Sequence, residues 1–205
     1  MKQKIILFGD SIIRYNRKKL LVDWGQNLKK KINIDFPKKY EFYSKTIVGL
    51  DSNQGTKIFN KLIEKIKIND SFLIIQLGIN DSWHYKSLKG KPNISILKFR
   101  SNLLKIISKS KKLGVKEIFF ISYHQLLNNR LEINKKTINQ NLQEYIKLTK
   151  KVCFEKKIRF IDILKHTKNI KSEKLCRSMP DGIHLSHRGA QIYSKIILDN
   201  IKKYL

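Results

Sequence analysis

Long apolar runs are missing from this 205-residue chain. Lysines break every hydrophobic stretch well short of the roughly 18 residues that a membrane span requires. Cysteine is scarce. Cys153 and Cys176 stand alone, with neither a disulfide framework nor metal-ligand spacing, and read as two reduced thiols. With three prolines and nine glycines there is no Pro/Gly/Ser-rich linker, so residues 1–205 read as one domain around one core. At the N-terminus, Lys2 and Lys4 lead into Ile5 to Phe8 and then straight into Gly9-Asp10-Ser11. That leaves no room for a signal-peptide core and cleavage site, and the expected location is the cytoplasm.

Acidic residues are also few, 16 against 44 lysines and arginines, for a formal charge of +28. Such an excess suits nucleic acid, an anionic membrane or an acidic polymer as partner. The rest of the composition tempers that reading. Lysine far outnumbers arginine, isoleucine and asparagine abound, and alanine occurs once, at position 190. An AT-rich coding sequence would impose this joint bias on any protein. Lys29 to Lys31, Lys109 to Lys112 and Lys156-Lys157 are scattered and form no single basic arm. The expectation is a solvated cationic surface with no nucleic-acid partner, and a polyanion-binding protein with a vestigial site is the rival from another class.

Five short apolar runs read as buried strands: Lys4 to Phe8, Glu41 to Val48, Ser71 to Leu77, Glu117 to Ser122 and Arg159 to Ile163. Helical spacing follows most of them. Ile96, Phe99, Leu103 and Ile107 make one face, Ile138, Leu142, Tyr145, Thr149 and Val152 another, and Ile192, Ile196 and Ile201 a third. Strands alternating with helices predict βαβ units and a parallel sheet covered on both faces, an α/β fold. Trp24 and Phe42 read as core. In such sheets, sites form beyond the carboxyl ends of the strands.

Those ends carry the sequence's chemistry. Gly9-Asp10-Ser11 follows the first strand, Ile47-Val48-Gly49 ends the second, and Gly78-Ile79-Asn80-Asp81 follows the third. Pro180-Asp181-Gly182-Ile183-His184 precedes the last helix, for which Ser186 is the expected N-cap. A serine hydroxyl needs an imidazole to take its proton, and the imidazole needs a carboxylate to hold its tautomer. Ser11, His184 and Asp181 supply these groups. The backbone N–H groups of Ser11 and Gly49 and the Asn80 amide are candidate donors to an oxyanion. Taken alone, Ser11 also reads as the cap of a following helix and Asn80-Asp81 as a turn. Asp10 is expected to orient the nucleophile turn, and Asp81 to serve as a structural hydrogen-bonding residue.

Together, in this order and at these separations, the four blocks resemble those of the SGNH hydrolases, the GDSL esterase/lipase family. The resemblance runs from residue 4 to residue 200. It matches the family's four naming residues to Ser11, Gly49, Asn80 and His184, and its Asp-x-x-His pair to Asp181 and His184. It implies a flavodoxin-like α/β/α sandwich with a five-stranded parallel sheet. The glycine block departs from the family pattern: Ser44-Lys45-Thr46-Ile47-Val48-Gly49 stands where Asn-x-Gly-x-x-Gly is usual, so Gly49 is assigned by spacing. Ser11 is followed by Ile12-Ile13, without the Gly-x-Ser-x-Gly elbow of α/β-hydrolases.

The expected activity is hydrolysis of carboxylic esters, with O-acetyl groups on carbohydrate as first substrate. A lysophospholipase or thioesterase, or a sugar O-acetyltransferase, is the alternative on the same site. The 82 to 95 loop, with Lys86, Lys89, Lys91 and Asn93, is too polar for a lipid lid. Arg14, Trp83, His84, Tyr123 and His124 are candidates to line the pocket, against readings as a solvated helix residue for Arg14 and packed rim aromatics for the others. His84, His124, His166 and His187 show no metal-site spacing, and neither metal nor cofactor is expected.

Overall fold

A computed structural model describes residues 2–17, 20–84, 91–132 and 134–205. The chain runs β1 (Gln3–Gly9), β2 (Arg14–Arg17), β3 (Leu20–Asp23), α1 (Trp24–Asp35), β4 (Tyr40–Thr46), α2 (Ser52–Lys65) and β5 (Phe72–Gln76). It continues with α3 (Ile96–Lys112), β6 (Glu117–Ile121), α4 (Ile138–Glu155), β7 (Arg159–Ile161), the short α5 (Ile163–Thr167) and α6 (Ser172–Leu175), and α7 (His187–Ile201). A 3-10 turn, Lys202–Tyr204, ends it.

Five strands form a wholly parallel sheet in the order β4-β1-β5-β6-β7. The parallel pairing follows from the helical crossovers, and the near-continuous apolar character of the strands follows from burial on both faces. Alternate side chains therefore go to different layers. Ile5 and Leu7 of β1 join Ile74 and Phe119 beneath α1 and α7, packed on Trp24, Leu28, Tyr193 and Ile197. Ile6 and Phe8 join Leu73 and Ile75 on the other face, against Phe59 of α2, Phe99 and Leu103 of α3 and Val152 of α4.

The helix starts are set by side chains that accept the otherwise orphaned N–H groups of the first turn. Asp51 accepts from Gln54, Ser186 from Gly189, and Thr137 forms a reciprocal capping box with Gln140. Ser186 thus caps α7 as its position before the last apolar stripe predicts.

One alternative reading does not hold at the start of the chain. Among the described residues, no helix stands between Ser11 and Trp24. A turn leads into the antiparallel pair β2 and β3, and α1 begins only at Trp24, capped by Asp23. Ile12 and Ile13, which a helix reading would place on a helix face, are buried beside the sheet, and the Ile13 carbonyl accepts from the Trp24 N–H. The pair sits in the turn itself, which is closed by the Ile13 N–H donating to the Asp10 carbonyl at 3.2 Å. Arg14 is accordingly the first residue of a strand, with its Nε 3.7 Å from Asp23.

Because β1 lies between β4 and β5, the chain reverses direction across the sheet at β1. The crevice beyond its carboxyl end is where ligands bind in such folds.

Candidate active site

Ser11 sits just past β1 in a turn that Asp10 organises. One Asp10 oxygen accepts the Ile12 N–H at 2.9 Å, and the other accepts the Tyr123 hydroxyl at 2.5 Å. Asp10 is fully buried. Burial pushes its carboxyl up to about 7, against the opposing pull of the Tyr123 and Ile12 bonds.

His184 reaches this turn from the loop before α7. Its Nε2 lies 2.9 Å from Ser11 Oγ, and its Nδ1 lies 3.0 and 3.1 Å from the two Asp181 oxygens. Only Nδ1–H can serve the carboxylate, so Nε2 is left to accept the serine proton. Asp181 also accepts the backbone N–H groups of Ile183 and His184, at 3.1 and 3.0 Å. Burial works to raise its carboxyl, but the side-chain and backbone bonds from His184, with the attraction of that imidazole, outweigh it and hold the group well below the usual carboxylate range.

The loop owes its shape to contacts that the sequence does not advertise. The Asn128 N–H donates to the Gly182 carbonyl at 2.9 Å, and the Asn128 amide faces the Pro180 and Asp181 carbonyls at 3.3 Å. Gly182 has φ of +57°, and a Cβ there would lie 2.7 Å from the Asn128 nitrogen. Arg177 donates its backbone N–H to the His184 carbonyl at 2.8 Å and places Nη1 3.7 Å from Asp181. Asn128 sits in no motif and could not have been found by pattern. The placement of Arg177 four residues before Asp181 was the one available signal.

Two of the candidate oxyanion donors lie on two further loops. Gly49 adopts φ of +74°, a conformation that costs glycine little. Among the described residues, the N–H groups of Ser11 and Gly49 have no protein acceptor. The Asn80 amide donates to the Leu50 carbonyl at 3.0 Å, which fixes its plane and leaves its second N–H available. Asn93, from the polar 82 to 95 loop, holds the Asn80 carbonyl at 2.8 Å; Lys86 and Lys89 of that loop lie outside the described residues. Asp81 accepts the Ser52 N–H with both oxygens, at 3.0 and 3.1 Å. The Gly49 and Asn80 loops are therefore tied to each other.

The residues expected to line the pocket are mostly turned into the protein. Tyr123 is buried, its hydroxyl spent on Asp10. His124 is buried as well. Its Nδ1 meets the Tyr193 hydroxyl at 2.5 Å and its Nε2 the Ile183 carbonyl at 3.1 Å, while burial lowers its pKa to about 4. His84 turns inward, with Nδ1 2.9 Å from the Ser82 carbonyl and 3.5 Å from Glu132. Trp83 is half-buried against the core, with the Arg130 guanidinium 5.6 Å from its ring centre. Arg14 is exposed and paired with Asp23. The polar atoms of His84, Tyr123 and His124 are spent on partners inside, where an unpartnered group is costly. Among the described residues, no group of three or more His, Cys, Asp or Glu side chains could hold a metal ion, and no helix is long and apolar enough to cross a membrane.

The pattern of the GDSL-like lipase/acylhydrolase family matches residues 5–197. The GDSL esterase/lipase WDL1 of Oryza sativa subsp. japonica is 23% identical over 97% of this chain and 77% of its own length. Among solved structures, the lipase/acylhydrolase from Enterococcus faecalis has a TM-score of 0.75 at 24% identity, covering 99% of this chain and 97% of its own. A variant of the acetyl xylan esterase Axe2 from Geobacillus stearothermophilus has a TM-score of 0.76 at 18% identity, covering 97% and 94%. At these identities the structures bear on the fold, which is shared, while the match of the family pattern over nearly the whole chain is decisive: this protein belongs to the GDSL-like lipase/acylhydrolase family and is a carboxylic ester hydrolase.

Proposed function

We propose that the protein removes short acyl groups, O-acetyl on carbohydrate foremost, by a Ser-His-Asp mechanism. The observation that carries this reading is the unbroken chain from Ser11 Oγ through His184 to Asp181, at 2.9 and 3.0 Å. Ser11 Oγ attacks the ester carbonyl as His184 Nε2 takes its proton. Asp181 stabilises the imidazolium that forms, and the same Nε2–H then protonates the departing sugar oxygen. Water, deprotonated by His184, releases acetate and regenerates Ser11. The oxyanion of each tetrahedral intermediate is met by the N–H groups of Ser11 and Gly49 and by the free N–H of Asn80. Axe2, an acetyl xylan esterase, supports the choice of acetylated carbohydrate.

The test compares wild type with Ser11→Ala on p-nitrophenyl acetate, butyrate and octanoate, both proteins checked for folding by circular dichroism. Preference for acetate, lost by roughly a thousandfold or more in the variant, is expected. Preference for octanoate would redirect the reading to lipid or thioester substrates. A folded wild type inactive on all three esters would overturn it.

A further inference from the structure

Away from the candidate site, α2 and α3 leave between them an open trough of about 1400 Å³. Lys57 of α2 and Lys98, Arg100, Lys105, Lys109 and Lys112 of α3 line it, and no acidic residue does. All five lysines are exposed. Arg100 is paired with Glu155, but none of the five lysines pairs with a carboxylate among the described residues. The four lysines of α3 that line the trough, Lys98, Lys105, Lys109 and Lys112, follow one another at steps of seven, four and three residues, which puts them on one face of the helix. Like charges at such spacings destabilise a helix, and the 17 residues of α3 contain no acid to relieve them. The abundance of lysine alone explains the number of charges, but not their alignment along one trough free of carboxylates.

The trough also leads somewhere. α3 spans ~25 Å at 1.5 Å per residue. In its second turn, Asn102 donates to Ser52 and Asn53 of α2, at 2.8 and 2.9 Å. The Ser52 N–H in turn is held by Asp81, beside Asn80. The basic trough therefore spans the level at which α3 is tied to the candidate oxyanion loops, with Lys98 and Arg100 before it and Lys105, Lys109 and Lys112 beyond it along the helix.

We infer that this trough binds an extended polysaccharide bearing carboxylates, and so holds an acidic, acetylated polymer against the catalytic edge. The inference rests on the carbohydrate-ester reading above. Charge complementarity calls for a polyanion. The lining favours a carboxylated glycan over single-stranded nucleic acid, because binders of the latter stack bases on aromatic rings, and the one ring here, Phe59, is buried. Aligned lysine ammonium groups suit carboxylates spaced along a chain, with binding that weakens as salt rises.

The test measures affinity for polygalacturonate, neutral dextran and poly-dT by calorimetry at two salt concentrations. It uses wild type, the triple variant Lys105→Gln/Lys109→Gln/Lys112→Gln, and a control triple, Lys29→Gln/Lys30→Gln/Lys31→Gln, which loses the same charge from α1. Wild type is expected to bind polygalacturonate and not dextran. The trough variant should lose about tenfold in affinity and the control less than about twofold. Equal losses in the two triples would reduce the effect to bulk charge and overturn the proposal, as would absence of polygalacturonate binding or tighter binding of poly-dT. Turnover of p-nitrophenyl acetate should be unchanged in both triples. An inactive wild type that still binds polygalacturonate through the trough would sink the short-acyl reading and leave the docking surface standing.

Discussion

The Tyr193 hydroxyl and the His124 imidazole share a buried pair of bonds. The phenol accepts the His124 backbone N–H at 3.0 Å and donates to Nδ1 at 2.5 Å. With a pKa lowered to about 4, the ring is neutral and carries one proton, which must sit on Nε2 because the Ile183 carbonyl opposite can only accept. A chain of defined polarity thus runs from α7 through β6's exit to the residue before His184.

Tyr193→Phe breaks this chain at its root. It leaves a buried N–H and a buried ring nitrogen unsatisfied, for a loss of about 2 kcal/mol in thermal or denaturant unfolding. The kcat for ester hydrolysis should fall with KM little changed, since the support of the Ile183 carbonyl is loosened. An unfolding midpoint equal to that of wild type would refute the prediction.

Asp181→Asn retains the shape of the loop but offers an amide where Nδ1–H needs a carboxylate, inviting the wrong tautomer. A loss in kcat on the order of 10³ to 10⁴ is expected. Because the Asp181 carboxyl is held below its ordinary range, it stays ionised through neutral and mildly acidic pH. Its contribution to stability is full above the unfolded value near 4 and is lost only as pH falls below it. Wild-type kcat followed from pH 5 to 9 should therefore show no acid limb belonging to this group.

Asp10 behaves in the opposite sense. Its carboxyl is raised from near 4 to about 7, so between those values the folded state holds a proton that the unfolded state has released. Stability from this source falls as pH rises across that window. His124, buried and neutral, works against it, since folding resists its protonation as pH drops from about 6.5 towards 4. Asp10→Asn isolates the carboxyl: the melting temperature of wild type relative to this variant should be higher at pH 5 than at pH 8. A difference that does not vary with pH would contradict the assignment.

Asn80→Ala removes one proposed oxyanion donor together with the bond to Leu50. A fall in kcat of about 100- to 1000-fold is expected, with acetate-ester KM nearly constant. Gly182→Ala should also be harmful, because its Cβ would press on Asn128 and its φ is positive. Thermal unfolding at a lower temperature would register it.

Much of this was legible in the sequence because the relevant signals are local. Apolar runs such as Phe72–Gln76 and stripes such as Phe99, Leu103 and Ile107 report their own burial. The turn chemistry of Gly9-Asp10-Ser11 and Asp181-Gly182-Ile183-His184 states which groups can meet. The hairpin after Ser11 was missed because the alternation in Arg14 to Asp23 is short, and Asp23, not Ser11, turned out to be the cap. The inward turn of His84, Tyr123 and His124 was hidden for another reason. Their partners, Glu132, Asp10 and Tyr193, lie 48, 113 and 69 residues away, and no pattern along the chain encodes such meetings.

The two packed faces of the sheet have a mechanical consequence. The Gly49 and Asn80 loops are anchored through Ser52 to α2 on one side, whereas Asp181 and His184 lead into α7 on the other, with Ser11 rising from the strand between them. The groups proposed to stabilise charge and those proposed to move protons are thus mounted on separate walls of one frame. Thinning the wall under α7, as with Ile197→Ala, should disturb proton transfer while leaving oxyanion binding largely in register, and Phe59→Ala beneath α2 should do the reverse.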